Sequence, residues 1–520
     1  MRGSFQNLLF LVLIFFVPPL LLGALEFNAD HELSLKGKKV IVVETKEMTL
    51  GECLLLSSLQ GLIAKKYPEL YLSINANKDI WVKELIKYGA MVSYTQDWEG
   101  IYRQYSDRTK GCILVDTESI SIGASLAGPN ECVLITEDLI SFALAANLPV
   151  FLDLRGKDEE WLFNQVMLDS SLYNLNAILQ STGKVKVALV DFAIANNYIL
   201  INGINNPDLV EKFYALITPN SPRFGWGSPY SHEIEDVSLG SKNGLFTVPS
   251  GNTMNLSFLQ KISVPLPREE LIGTGLPLEE VSESDSFHYV TIMMSDGDNL
   301  NWYLNGMAES GKYYGSPLRG SFPVSWMIPP NLYGWAPLVA NYYYSNRTIN
   351  DYFIGSVSGQ GYTYPSIHKN LDEFSRITGA SLRASKLSYL TVMDIGDFNT
   401  VEPIILGEMI DEMPELKGIF YMDYSNYAKW GGKIFFSHNI PIVSFRYRLW
   451  LPMDSWQNIA GRLCGAKIDP ASENGYSAIV VHAWSYSLAE VADFISGLSP
   501  EIKVVDPVTF FRLIEENVKH

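Results

Sequence analysis

The sequence predicts a mixed α/β protein, with an N-terminal α/β region built on parallel sheet followed by a C-terminal (β/α)8 TIM-like barrel. Three observations predict it. The chain has 520 residues, 47% of them hydrophobic and only 18% charged, which is enough apolar material for two or three packed domains and too much for disorder. Its first part alternates short apolar runs with helical patterns, the punctuation of a parallel sheet covered by helices. Its last part holds eight apolar runs in succession, each followed by a helix or connector, which is the repeat of a barrel.

The N-terminal α/β domain is placed at residues 36–157. KKVIVVET (38–45), LYLSI (70–74), GCILVD (111–116), ECVLIT (131–136) and PVFLDLRG (149–156) supply the strands, with helical stretches at 51–70, 79–89 and 138–148. No GxGxxG follows a strand and no GxxxxGK occurs, so dinucleotide or P-loop phosphate binding is disfavoured and no cofactor is expected. Residues 158–284 are expected to form a smaller linking α/β subdomain. It has a helical stretch over 161–182, a strand VKVALVD at 185–191, and a polar Gly/Pro/Ser-rich passage around 218–254 that ends at a boundary near Ser282-Glu283-Ser284-Asp285.

The barrel is placed at 285–520. Its eight strands are expected at 288–295, 322–327, 351–357, 387–393, 417–422, 441–447, 476–481 and 502–506. Helical patterns follow at 334–344, 366–377, 401–413, 455–463, 488–498 and 507–518.

A net charge of -18 repels polyanions, so neither nucleic acid nor an anionic membrane surface is an expected partner. Residues 1–24 carry Arg2, the apolar run LLFLVLIFFVPPLLL and the small pair Gly23-Ala24, the layout of a secretory signal peptide that leaves a mature chain starting near Leu25. An uncleaved anchor stays open, because the run approaches the ~20 residues that span a bilayer. The expected location is the secretory pathway: extracellular, cell wall or vacuole. Sequons at Asn255 and Asn346 are compatible with N-glycosylation on that route. Cys53, Cys112, Cys132 and Cys464 are too scattered for a disulfide framework; one bond is possible, and buried thiols are the better reading.

The run Gly359-Gln360-Gly361-Tyr362-Thr363-Tyr364-Pro365 directly follows the third expected strand. Its glycines allow a tight turn or close backbone approach, its phenols offer flat faces with hydroxyl handles, and its proline stiffens the exit. The string resembles the signature of a plant and bacterial family of glycoside hydrolases named GxGYxYP after it, and the resemblance extends over nearly all of the chain after the leader. It implies a TIM-like catalytic domain, in agreement with the strand count, and a carbohydrate substrate.

In a barrel the site is built at the carboxyl ends of the strands. There the sequence places Asp296, Asp298 and Asn299 after strand one, Trp326 in strand two, and Gln360, Tyr362 and Tyr364 after strand three. Asp394 ends strand four, Asp423 strand five, Arg446 lies in strand six, and His482 and Trp484 follow strand seven. Glycoside hydrolysis needs one protonated carboxyl to assist the leaving oxygen and one carboxylate to attack or to activate water. Asp296 or Asp298 is expected in one role and Asp394 or Asp423 in the other. The remaining residues would stack on sugar rings or bond their hydroxyls.

The Asp296-Gly297-Asp298-Asn299 turn invites a calcium reading. However, the sixth and twelfth positions are Asn301 and Met307 rather than Gly and Glu, so no EF-hand loop is present and no metal site is assigned. No HExxH and no GxSxG occurs, which argues against zincins and α/β-hydrolase esterases. The expected function is therefore a secreted glycoside hydrolase acting on an oligosaccharide or polysaccharide. The alternatives are a non-catalytic carbohydrate-binding or scaffold protein, since no Glu ends any of the eight strands, and a metal-assisted hydrolase using Asp296, Asp298 and His482.

Overall fold

A computed structural model describes residues 35–203, 206–227, 232–264, 287–398 and 402–518. The leader at 1–24 and the boundary at 282–285 lie outside the described residues.

The stretch expected to form one N-terminal sheet divides into two. Strands β1 (Lys39–Glu44), β2 (Leu70–Ser73) and β3 (Met91–Thr95) pair in the order β2-β1-β3, and β4 (Gly111–Leu114), β5 (Cys132–Ile135) and β6 (Val150–Asp153) in the order β5-β4-β6, all parallel. The helix Leu50–Ala64, started by a Thr49/Glu52 capping box, is buried over almost all of its surface. It needs to be apolar all round because it packs against β2 and β5 and against the helix Val190–Asn196 of the next unit. At the helix crossing a Cβ on Gly61 would stand 2.6 Å from the Asp191 carbonyl, so only glycine permits the approach.

Within the expected linking α/β subdomain, residues 176–261 form a third unit with its own sheet. Strands β7 (Ile178–Gln180), β8 (Ile199–Ile201), β9 (Ser221–Gly225) and β10 (Leu245–Pro249) make a parallel sheet in the order β10-β9-β7-β8. Two local expectations fail in it. The helical stretch at 161–182 breaks after Leu168 and ends as β7, and VKVALVD is a turn followed by a helix. Leu189 sits in the left-handed region (φ 63) and its N–H donates to the Thr253 carbonyl, which stops an extended run; the run is apolar because that turn is buried.

All eight strands expected after residue 285 are present. They are β11 (His288–Met294), β12 (Val324–Ile328), β13 (Asp351–Gly355), β14 (Tyr389–Asp394), β15 (Gly418–Asp423), the bent pair β17 (Ile440–Ser444) and β18 (Tyr447–Leu449), β19 (Tyr476–Val481) and β20 (Ile502–Val504). An added strand β16 (Ile434–Ser437) forms a hairpin with β17 through His438 and Asn439, both left-handed. The sheet curls: where β17 bends into β18, Phe445 N–H donates to the Tyr421 carbonyl and Arg446 N–H to the Ala478 carbonyl.

The pairing differs from an eightfold barrel at one place. β19 pairs directly with β11, and β20 pairs with the opposite edge of β11, beside the start of that strand. β12 joins the same edge only further along, at Met293 and Met294. The short β20 thus fills a gap at the bottom of the sheet instead of a place between β19 and β11, and the fold is a curled, mostly parallel sheet rather than a regular TIM barrel. Among the described residues no helix is long and apolar enough to cross a membrane, and all four cysteines are free thiols.

Candidate active site

The carboxyl end of β11 carries a tightly constrained turn. Ser295 N–H still pairs with the Val481 carbonyl, Asp296 then adopts a left-handed conformation (φ 72), and Gly297 lies so close to Met327 that any Cβ would collide with its carbonyl. Asn299 caps the helix Leu300–Asn305, and its amide donates to the Asp296 carboxylate at 3.2 Å. The indole of Trp484 stands beside Asp296 and favours its charged form. Asp296 and Asp298 are thereby held side by side at the floor of a cleft of about 600 Å³.

The third unit supplies the opposite wall. Glu233 is the first residue of the helix Glu233–Lys242 and reaches the same cleft, where the Tyr362 hydroxyl donates to it at 2.9 Å. That helix is fixed by a buried ion pair between Arg223 and Asp236 (2.6 Å), and Arg223 also donates to Gln180, Tyr214 and Thr247. Met327, Met393 and Met422 give the cleft an apolar base, while Trp226, Tyr424, Tyr427, Trp450 and Trp484 give it aromatic walls.

The GxGYxYP loop joins the two walls. Thr247 of β10 and Tyr362 exchange both backbone hydrogen bonds at 2.8 Å. A Cβ on Gly361 would lie 2.7 Å from the Phe246 ring and the Thr247 carbonyl, so the second glycine is what lets the loop pair with β10. Thr363 bonds Ser241 at 2.7 Å and His368 at 2.8 Å, and Tyr364 N–H donates to Ser241. The motif is therefore buried, and it delivers Tyr362 to Glu233.

Electrostatics in the cleft favour protons. Both aspartates stay accessible from the cleft, but the recess strips them of bulk water. Burial raises Asp296 to about 6, helped by the Glu233 charge and opposed by the bonds from Asn299 and Trp484. Burial also raises Asp298 well above the usual range, and the Asp296 charge adds to it. Glu233 is raised by burial too, with the Tyr362 bond holding it down. Three carboxyls, one of them keeping its proton to higher pH than the rest, form an acid/base set.

The structure gathers Asp296, Asp298, Asn299, Tyr362, His482 and Trp484 around this cleft. His482 stacks on Trp450 at 4.3 Å and bonds Ser485, and burial lowers its pKa.

The other expected residues lie elsewhere. Asp394 is buried and accepts from the Ser366 N–H and hydroxyl and from Ile395 N–H, so it fastens the turn after the motif. Asp423 accepts from Ser425 and Lys429 and fastens the turn after β15. Trp326 points to the outer face of the sheet, since Met327 takes the inner one, and donates to Asp351. Gln360 faces the helix Leu371–Ala384, bonding Ile377 and Ser381. Tyr364 is fully buried behind Tyr362. Arg446 ties down the chain before β19 through the Glu473 and Tyr476 carbonyls. Among the described residues no group of three or more His, Cys, Asp or Glu side chains has the arrangement that would hold a metal ion.

Glu233 was outside every expectation. It lies 129 positions from Tyr362 in a passage that looks like a polar link, and its only mark in the sequence is a helix start after a Gly-rich turn.

Family models match the chain in order: a first GxGYxYP domain at residues 39–107, a second at 109–171, a third at 176–261, and the "GxGYxYP putative glycoside hydrolase C-terminal domain" at 286–515. The chain belongs to the GxGYxYP family. Its three N-terminal family domains coincide with the three separate sheets, and the cleft lies between the third GxGYxYP domain and the C-terminal one. A crystal structure of a "putative hydrolase" from Bacteroides thetaiotaomicron VPI-5482 shares the fold, with a TM-score of 0.82 and 24% identity over 93% of this chain and 95% of that one. No curated protein matches this GxGYxYP chain.

Proposed function

We propose that this protein is a secreted glycoside hydrolase whose reaction centre is the set Asp296, Asp298 and Glu233. The observation that carries the reading is the convergence of these three carboxyls, all raised by burial, from two domains onto one aromatic-walled cleft. Asp298, the hardest to ionise, donates its proton to the leaving glycosidic oxygen. Glu233, whose charge the Tyr362 hydroxyl stabilises against burial, either attacks the anomeric carbon or takes a proton from the water that does. Asp296, when ionised, adds its charge to burial in holding the proton on Asp298, and Asn299 orients it.

The family description supports a carbohydrate substrate. The lack of a Glu at any strand end argued for a non-catalytic protein. Glu233, entering from the third domain, answers that argument. The test is release of reducing ends from a panel of plant and microbial oligosaccharides at mildly acidic pH by the parent, Glu233→Gln and Asp298→Asn. Turnover by the parent and about a hundredfold less or worse in each variant supports the reading; binding without turnover by the parent defeats it.

A further inference from the structure

A second cavity of about 740 Å³ adjoins the cleft. The two share Asn252, Asn299, Asn301 and Trp484 as a common rim. The far side of the second chamber is built by the first domain: the end of β2 and the turn after it, Ser73, Ile74 and Asn75. Its near side is the helix Leu300–Asn305, which begins at the Asn299 cap of the reaction centre. Each chamber alone has the volume that encloses a drug-sized molecule, which a short oligosaccharide matches.

The chemistry of the shared rim suits neutral sugars. Trp484 is 58% exposed, with Trp302 tilted beside it at 5.9 Å, and it presents an aromatic face where the chambers meet. The rim is fixed in place by the Asn301 side chain, which accepts from Asn252 N–H and the Thr253 hydroxyl, both at 2.9 Å. Further out the second chamber offers the amides of Asn75 and Asn305 and the exposed side chain of Ile74, a mix of hydrogen-bonding groups and apolar surface. Of the charged groups that line it, Asp79 is taken up by Ser73 and by capping the helix Ile80–Lys87, Glu309 pairs with Lys83, and Lys78 stands exposed as a single cationic hydrogen-bond donor.

We propose that the two chambers are one groove that binds an extended neutral glycan, with the bond to be cut over Asp296, Asp298 and Glu233 and the distal sugar units seated against the first domain at Ile74 and Asn75. This rests on the carbohydrate reading of the first chamber but not on turnover there. The first domain thereby serves as the binding wall for the long end of the substrate.

The test is calorimetric binding of cello-, xylo-, manno- and galacto-oligosaccharide ladders, from disaccharide to hexasaccharide, to the full secreted chain carrying Glu233→Gln so that nothing is consumed. The expected result is a hexasaccharide in at least one ladder bound about tenfold more tightly than its disaccharide. That difference collapses when Asn75→Trp fills the distal chamber, and again with Ile74→Asp; both positions are exposed, so the fold tolerates the changes, and unaltered melting confirms it. Affinity that does not grow with length in any ladder, or length dependence untouched by both variants, overturns the groove. Turnover by the parent is read separately, so a parent that cleaves without length dependence refutes the groove and keeps the hydrolase, whereas length-dependent binding without cleavage does the reverse.

Discussion

At the scale of single residues, the cleft places function against stability. A carboxyl whose pKa is higher folded than unfolded holds a proton in the native state that the unfolded chain has lost, so stability falls as pH rises between the two values. For Asp296 that window runs from the ordinary 3.8 up to about 6. Asp296→Asn removes the penalty. The variant is expected to melt about 2 °C above the parent at neutral pH and level with it near pH 4, a pair of scans that also reports whether the recess really is dry. Its activity is expected to fall at the same time, because the charge that adds to burial in holding the Asp298 proton is gone. Tyr362→Phe acts on the other wall: without the hydroxyl Glu233 ionises less readily, so the acidic limb of kcat/KM against pH moves to higher pH, and an unmoved limb would show that Glu233 does not govern it.

At the scale of elements, the GxGYxYP loop is a joint. Its peptide groups pair with β10, and its side chains bond the helices on either side, so the motif aligns the wall that bears Glu233 with the wall that bears Asp296 and Asp298. Gly361→Ala forces a methyl against Phe246 and Thr247 and should cost about 1–3 kcal/mol in denaturant unfolding, with a loss of turnover larger than the loss of folded protein. A turnover loss no larger than the unfolded fraction would mean that the joint is not needed for alignment. The Arg223–Asp236 pair supports the same wall from behind. Arg223 is wholly buried, so Asp236→Ala leaves an uncompensated charge and should destabilise by about 3–5 kcal/mol in the same assay, more than any surface ion pair would.

At the scale of the whole molecule, the proposed reaction centre is not contained in the C-terminal domain. A chain limited to residues 286–515 lacks Glu233 and the β10 partner of the motif, and it should release no reducing ends even where it is soluble. The two sequons also part company in the fold. Asn255 is buried, with its amide donating to the Leu72 carbonyl and its oxygen accepting from Leu72 N–H and Gln60, a bridge between the third and first domains that no glycan could share. Peptide mass mapping of the protein expressed through a secretory route should find Asn255 unmodified. Asn346 is only half-buried, its amide donating to the Tyr342 carbonyl.

The sequence by itself determined the layers and the order of the elements. Apolar runs of period two and helical runs of period 3.6 are local properties, so the eight C-terminal strands and the helices between them were readable, and with them the strand ends that bear Asp296, Asp298, His482 and Trp484. The motif was readable as a shaped turn. Only the tertiary structure decided which way a side chain faces: Trp326, Gln360 and Tyr364 turn away from the cleft to satisfy packing and hydrogen bonds that no spacing encodes. The same holds for pairing. Whether β19 meets β11 directly or through β20, and whether six short N-terminal strands make one sheet or two, depends on edges chosen between segments far apart in the chain. Glu233 is the sharpest case, because a residue becomes part of this site only when a separate domain is folded, docked and pinned by Thr247 and Tyr362.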